Sequence, residues 1–216
     1  MLESQAERID KIMSTKVDFK KELKYLYNPP KGDFHLVQVP EMNFIMIDGH
    51  GNPNTSADYQ EAVNLIYTMA FGIKFACKPR GLDYIVPPLE GLWWMEKMEE
   101  FTLANKDLWD WTMMIMQPQW VTTEEIEKVR TESIKRKGLP GLSKIRFETF
   151  AEGLAVQILY IGAYENEAPT IARMHAYIKT NGYATNGKHH EIYLGDPRKT
   201  SPERLQTVIR QPICRA

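Results

Sequence analysis

The sequence is poor in cysteine and in long apolar runs. Only two cysteines occur among the 216 residues, Cys77 and Cys214, and they form neither a CxxC motif nor a spacing typical of zinc ligands. We therefore expect free thiols in a reducing compartment, and a cytoplasmic protein. No run of about 18 apolar residues exists and the N-terminus lacks the apolar core of a secretion signal, so no membrane contact is expected.

The chain also lacks an excess of charge of either sign. Its 27 Lys and Arg residues nearly balance 28 Asp and Glu residues, which gives a net charge of −1. A nucleic-acid-binding domain would usually carry a basic face, so nucleic acid is not an expected partner. The 43% hydrophobic and 25% charged residues are typical of a globular protein that buries a core.

Several motifs of common catalytic sites are missing as well. The turn-rich segment 49–54 lacks the lysine of a phosphate-binding loop, and no GxSxG nucleophile elbow is present. His189 and His190 adjoin Glu191, but neighbouring residues on a strand face opposite sides, and no other His or Cys lies at a useful spacing. We therefore predict neither a metal nor a cofactor.

Hydrophobic periodicity predicts an α+β protein. Helices are expected over residues 56–76, 123–137 and 169–180, and the second follows a capping box formed by Thr122 and Glu125. The expected strands are 34–39, ended by Pro40, then 43–48, 89–94, 108–117, a hairpin of 145–150 and 154–161 around Glu152 and Gly153, 188–194, and 205–210.

The order of these elements repeats. Each half of the chain runs strand, helix, strand, strand, first over 43–117 and again over 154–210, and Glu90 of the first half corresponds to Glu191 of the second. A small sheet with one helix buries only one face. Two such modules therefore predict a mostly antiparallel sheet with helices on one side and a ligand groove on the other, across the seam.

The strand 188–194 carries the candidate anchor of that groove. Glu191 and Tyr193 are two residues apart and share one face, whereas Ile192 and Leu194 point to the other face and fill a core. A carboxylate beside a phenol suits a cationic or polar aromatic ligand. The alternative is an ordinary half-solvated strand.

Tryptophan is confined to one region, since all five lie between Trp93 and Trp120, with several methionines among them. Rings and flexible thioethers make an adaptable ligand wall, but they are equally typical of a core. The cost of burying Asp110 and Thr112 favours Trp109 and Trp111 packing inside and Met114 lining the groove. The candidate wall residues are Trp94, Trp109, Trp111, Trp120 and Met114.

On these residues the chain resembles the GyrI-like small-molecule-binding domain family, in its stand-alone bacterial branch. The resemblance spans roughly residues 16–213. It is carried by segments 19–24, 46–54, 87–94 (PPLEGLWW) and 190–197 (HEIYLGDP). It implies an N-terminal extension over 1–33 and a domain over 34–213, with modules at about 34–121 and 142–213 joined by a linker helix at about 122–141. The residues before the first strand are too few for a helix-turn-helix domain, so a stand-alone binder is expected, monomeric or weakly dimeric.

The resemblance also implies a function. Family members bind hydrophobic, aromatic or cationic organic compounds between the modules, and the matching groove glutamate here is Glu191, with Glu90 as its counterpart. An alternative is hydrolysis of reactive electrophiles such as cyclopropane-type alkylators, with Glu191 as general base and Tyr193 or Tyr160 as proton donor. A second alternative is a protein-interaction module of the gyrase-inhibitor type.

Overall fold

The structure, a computed structural model, describes residues 16–98 and 101–216, apart from the side chain of Leu103. Residues 1–15 of the expected N-terminal extension lie outside the described residues. The helices are α1 (Phe19–Glu22), α2 (Lys24–Tyr27), α3 (Ala57–Cys77), α4 (Thr123–Lys137) and α5 (Ala168–Thr180). The strands are β1 (His35–His50), β2 (Leu89–Trp94), β3 (Asp110–Gln117), β4 (Arg146–Ile161), β5 (Tyr183–Thr185), β6 (His189–Tyr193) and β7 (Gln206–Arg215).

All of these strand pairings are antiparallel, as the repeat predicts. The order is β4-β1-β3-β2-β6-β7, and β7 also pairs with β4, so the sheet closes on itself. Strand β5 is added at the far end of β7, which runs on past the predicted end at residue 210. The first repeat meets the second in two places, where β2 pairs with β6 and where β1 pairs with β4.

Strands β1 and β4 are the longest, with 16 residues each, and both run through residues expected to break them. The prediction that Pro40 ends a strand is wrong, and so is the predicted hairpin around Glu152 and Gly153. Val39 pairs with Gly153, whose φ of 75° bends β4 at that point. Proline lacks an N–H, but β1 pairs with β3 only from Asn43 onwards, so Pro40 lies on a half-open stretch.

Two of the three long helices begin at the capping residues that predict their starts, and α5 begins with the predicted proline, Pro169, in its first turn. Ser56 accepts from the backbone of Tyr59 at the start of α3, and Thr122 and Glu125 form the expected capping box of α4. The helix α3 packs on one face of the sheet, against Trp111, Met113 and Ile115 of β3, while α5 packs over β4 and β7. The predicted helices on one side of the sheet are confirmed.

The opposite side of the sheet is covered by the N-terminal segment, residues 17–27. Phe19 and Leu23 lie over the Met114 side of β3, and Leu26 and Tyr27 are buried against Ile192 of β6. This face is therefore a second apolar core, where the repeat had led us to expect a groove. In the described part of the chain, no helix is long and apolar enough to cross a membrane.

Candidate functional site

Strand β6 turns Glu191 and Tyr193 towards the helices. Ile192, one residue away, points to the opposite core, so the predicted alternation holds. Gly91 of β2 lies directly across from Glu191. A Cβ atom at Gly91 would come within 2.8 Å of the indole nitrogen of Trp93. The absence of a side chain there leaves room for Trp93 beside Glu191.

Hydrogen bonds hold both oxygens of Glu191. The Tyr193 hydroxyl donates to Oε2 at 2.8 Å, and Nε2 of His189 lies 3.2 Å from Oε1. The Tyr193 oxygen in turn accepts from Nε1 of Trp93 at 3.1 Å. Because Trp93 is on β2 and the others are on β6, this chain of bonds spans the seam between the two repeats.

The surroundings of Glu191 favour the ionised form of its carboxyl group. Its side chain is only 16% exposed. Burial pushes its pKa upwards, but hydrogen bonds from His189 and Tyr193 outweigh burial and bring the pKa below its usual value. Burial and the charge of Glu191 raise the pKa of Tyr193, which keeps its proton as a donor.

Aromatic rings surround this carboxylate. Tyr164 meets the Tyr193 ring edge-on at a centroid distance of 5.6 Å, and Tyr59 of α3 lies 6.0 Å from the Trp93 ring. The remaining contacts of the wall are Tyr59 with Trp111 at 5.3 Å, Trp93 with Trp109 at 5.6 Å, Phe101 with Trp109 at 4.5 Å, and Phe101 with His189 at 6.1 Å. Such rings can hold an aromatic or cationic guest.

A second carboxyl group, Glu167, lies against Glu191 and was missed by the sequence analysis. It precedes α5 directly, is 3% exposed, and its side chain is in hydrogen-bonding contact with that of Glu191. Burial and then the charge of Glu191 raise the pKa of Glu167 far above its ordinary value. An acidic residue directly before a helix usually indicates an N-cap, so the position of Glu167 in the sequence did not indicate a functional role.

Of the predicted site residues, Glu191, Tyr193, Trp109 and Trp111 share the side that faces the helices. Tyr160 lies on the same side, in register with Tyr193 through Thr207, and the others are placed elsewhere. Side chains alternate along a strand, so Trp94, Met114 and Glu90 lie on the opposite side, away from Glu191. Trp120 packs with Phe19 and Tyr84, and the Tyr160 hydroxyl donates to the Ala163 carbonyl.

Glu90 belongs instead to a sealed polar cluster on that opposite side. Its Oε1 accepts from the Tyr27 hydroxyl at 2.9 Å, and its Oε2 lies 3.0 Å from Nε2 of His190. Nδ1 of His190 is 2.9 Å from Glu152, which also pairs with Arg210 at 2.9 Å. The side chains of Glu90, Glu152, His190 and Arg210 are each only 1% exposed.

Within 16–98 and 101–216, no three or more His, Cys, Asp or Glu residues are grouped so that they could hold a metal ion. Both clusters are built from proton donors and acceptors, which suits proton transfer and hydrogen bonding to an organic ligand.

Comparison with known proteins adds to this geometry. The family described as GyrI-like small molecule binding domain matches residues 32–213. A conserved protein of Listeria innocua is 40% identical, with a TM-score of 0.86 over 92% of this chain and 100% of its own. A hydrolase of Listeria innocua is 39% identical, with a TM-score of 0.84 over 93% and 100% of the two chains.

More distant structures share the fold alone. The C-terminal domain of EcmrR is 14% identical, with a TM-score of 0.56 over 85% of this chain and 98% of its own. Among curated proteins, no relative matches the chain.

Proposed function

The chain belongs to the GyrI-like small-molecule-binding domain family, and from that premise we propose that it binds a small organic electrophile beside Glu191 and hydrolyses it. The observation that carries the proposal is the setting of Glu191, an ionised carboxylate that is 16% exposed, held at both oxygens and walled by aromatic rings. Relatives described as hydrolases support the same reading.

The aromatic wall favours a substrate with a flat apolar body. Tyr59 and Tyr164, both partly exposed, offer ring surface to such a body, and Glu191 offers a negative charge beside them. The family resemblance points to an electrophilic carbon in a strained ring, such as a cyclopropane conjugated to a carbonyl group. We propose this class of substrate.

In the proposed reaction Glu191 acts as general base on a water molecule. Tyr193 and His189 each occupy one lone pair of its oxygens, so the remaining lone pairs can accept a hydrogen bond from water. As the water oxygen bonds to the electrophilic carbon, Glu191 takes its proton. The ring carbon–carbon bond breaks, and its electron pair passes to the conjugated carbonyl, which then takes up a proton.

Turnover of a defined electrophile tests the proposal. An aryl ketone with a conjugated cyclopropane, incubated with the protein in heavy-oxygen water, should give a product with one added, labelled water by mass spectrometry. Glu191→Gln should slow its formation at least about 100-fold, because the base is lost. The exposed Glu165 supplies the control, and Glu165→Gln should leave the rate unchanged. An unchanged rate in Glu191→Gln would remove Glu191 from the mechanism.

Cation binding without turnover is the second candidate, favoured by the rings around an ionised carboxylate. A planar aromatic cation such as N-methylquinolinium should then raise the melting temperature of the wild type. In Glu191→Gln the rise should disappear, whereas Glu165→Gln should keep it. A rise without any water adduct from the electrophile would favour this candidate over hydrolysis.

A further inference from the structure

Glu167 lies in this site but takes no part in the hydrolysis proposed above. We propose that Glu167 and Glu191 form a carboxyl pair that shares one proton, and that Glu167 is the acid that protonates the carbonyl oxygen of the opened ring. This inference rests on the proposed hydrolysis and adds a second catalytic residue to it.

The backbone positions Glu167 for this role. It stands at the N-terminal end of α5, but its side chain makes no capping hydrogen bond to the helix. The side chain reaches the sheet instead, where it lies against Glu191 and Thr207. Its Oε1 is buried and has no aligned hydrogen-bond partner among the described residues. A buried polar atom without a partner is costly, so it suits a place where a ligand atom would complete the bond.

Contact between two carboxyl groups requires a proton between them. Two carboxylates this close would repel each other, whereas a carboxylic acid can donate to a carboxylate. Glu191 is already held by Tyr193 and His189, which favour its charged form, so the proton resides on the more deeply buried Glu167. The charge of Lys106 lowers the pKa of Glu167, but its effect is smaller than those of burial and Glu191.

The pair closes a proton cycle without a further reagent. Water gives a proton to Glu191 as its oxygen bonds to carbon, and Glu167 gives a proton to the carbonyl oxygen that received the electron pair of the broken bond. Glu191 is then the acid and Glu167 the carboxylate. The proton crosses their direct hydrogen bond back to Glu167, which restores the starting state and leaves substrate plus one water as product.

Infrared difference spectroscopy tests the shared proton without any substrate. At neutral pH, the wild type minus Glu167→Gln should show the carbonyl stretch of a protonated carboxyl group. The wild type minus Glu165→Gln should show only carboxylate bands, because Glu165 is exposed. Glutamine has nearly the shape of protonated glutamate, so the variant should fold. Carboxylate bands alone for Glu167→Gln would overturn the proposal.

Turnover separates this inference from the proposed function. Glu167→Gln should lower kcat about 100-fold with little change in KM, and a substrate that opens to a stable anion, which needs no protonation, should be hydrolysed normally. Loss of turnover in Glu191→Gln but full kcat in Glu167→Gln would overturn the acid role and leave the general base standing. No water adduct with the wild type would overturn the hydrolysis itself, and the acid role with it.

Discussion

Each of the two sides of strand β6 carries a histidine that contacts a glutamate. The two sides differ in their balance of positive and negative charge. On one side His190 and Arg210 meet Glu90 and Glu152, so two cations face two carboxylates, and all four side chains are 1% exposed. On the other side His189 meets Glu191, and Glu167 adds an acid with no partner for one oxygen. The first arrangement balances its charges away from solvent, although Oε2 of Glu90 and Nε2 of His190, 3.0 Å apart, form an ion pair without a hydrogen bond. The second arrangement has more acid than base, and the unpartnered oxygen of Glu167 can bond to a ligand.

The sealed cluster also holds the N-terminal segment. Arg210 donates to the carbonyl of Leu26 at 3.0 Å and Gln157 donates to that of Tyr25 at 2.6 Å, while Tyr27 donates to Glu90. Buried charges are tolerated when they are paired and fully hydrogen-bonded. We therefore expect one face of β6 to contribute to stability and the other to the proposed chemistry. Variants on each face can test this division of roles.

The largest effect should come from Arg210→Met. Arg210 bonds to Glu152 at 2.9 Å, to Gln157 at 3.0 Å and to Leu26, so its loss leaves His190 as the only cation facing the buried carboxylates of Glu152 and Glu90 within this cluster. We expect the free energy of unfolding to fall by about 3–5 kcal/mol in urea titrations. Arg204→Met, at an exposed position just before β7, should change it by less than about 0.5 kcal/mol. Similar stability of the two variants would refute the structural role of the sealed cluster.

The next effect concerns pH. Burial lowers the pKa of His190, but Glu152 and Glu90 outweigh it and raise the pKa to about 9. A pKa raised above its unfolded value of about 6.5 stabilises the fold fully below pH 6.5, and this contribution is lost as pH rises through 9. The loss should reach at most about 3 kcal/mol, measured as urea unfolding between pH 6 and 9.5.

The same titration with variants locates this pH effect. His190→Gln should flatten the fall in stability over that interval, whereas Glu191→Gln, on the other face of β6, should keep it. A fall of equal steepness in His190→Gln would assign the effect to another group.

The smallest effect is expected for Tyr27 and Tyr193, each of which donates a hydrogen bond to a glutamate. Tyr27→Phe leaves a buried oxygen of Glu90 short of a donor and should cost about 1–2 kcal/mol of unfolding free energy with no change in turnover. Tyr193→Phe should cost less, about 0.5–1 kcal/mol, because the more exposed Glu191 can bind water instead. It should nevertheless reduce turnover. Reduced turnover in Tyr27→Phe together with unchanged turnover in Tyr193→Phe would contradict the roles assigned to the two faces of β6.

Local patterns in the sequence were strong enough for several features. The capping residues Ser56 and Thr122 defined two helix starts, and the alternation in β6 put Glu191 and Tyr193 on one face. The side of the sheet on which they lie was not predictable, because both faces of this sheet are covered by apolar residues. The period of two assigns side chains to opposite faces but does not say which face meets the helices.

Predictions based on residues that usually end strands were wrong for a related reason. Pro40 and Gly153 read as strand ends when each is taken alone, yet they adjoin each other across the β1–β4 ladder, where a bend is needed and one side of β1 is unpaired. Glu167 was missed because its partner, Glu191, is distant in sequence. Local propensity carries no information about either pairing.

The sequence by itself determined the α+β class, the repeated order of elements, the three long helices and the pairing of Glu191 with Tyr193, since each depends on the spacing of nearby residues. The tertiary structure alone decided that Glu90 and Glu191 face opposite sides, that residues 17–27 fill one of them, and that Glu167 joins the other. These outcomes depend on register, closure of the sheet and desolvation, which arise only when distant segments pack together.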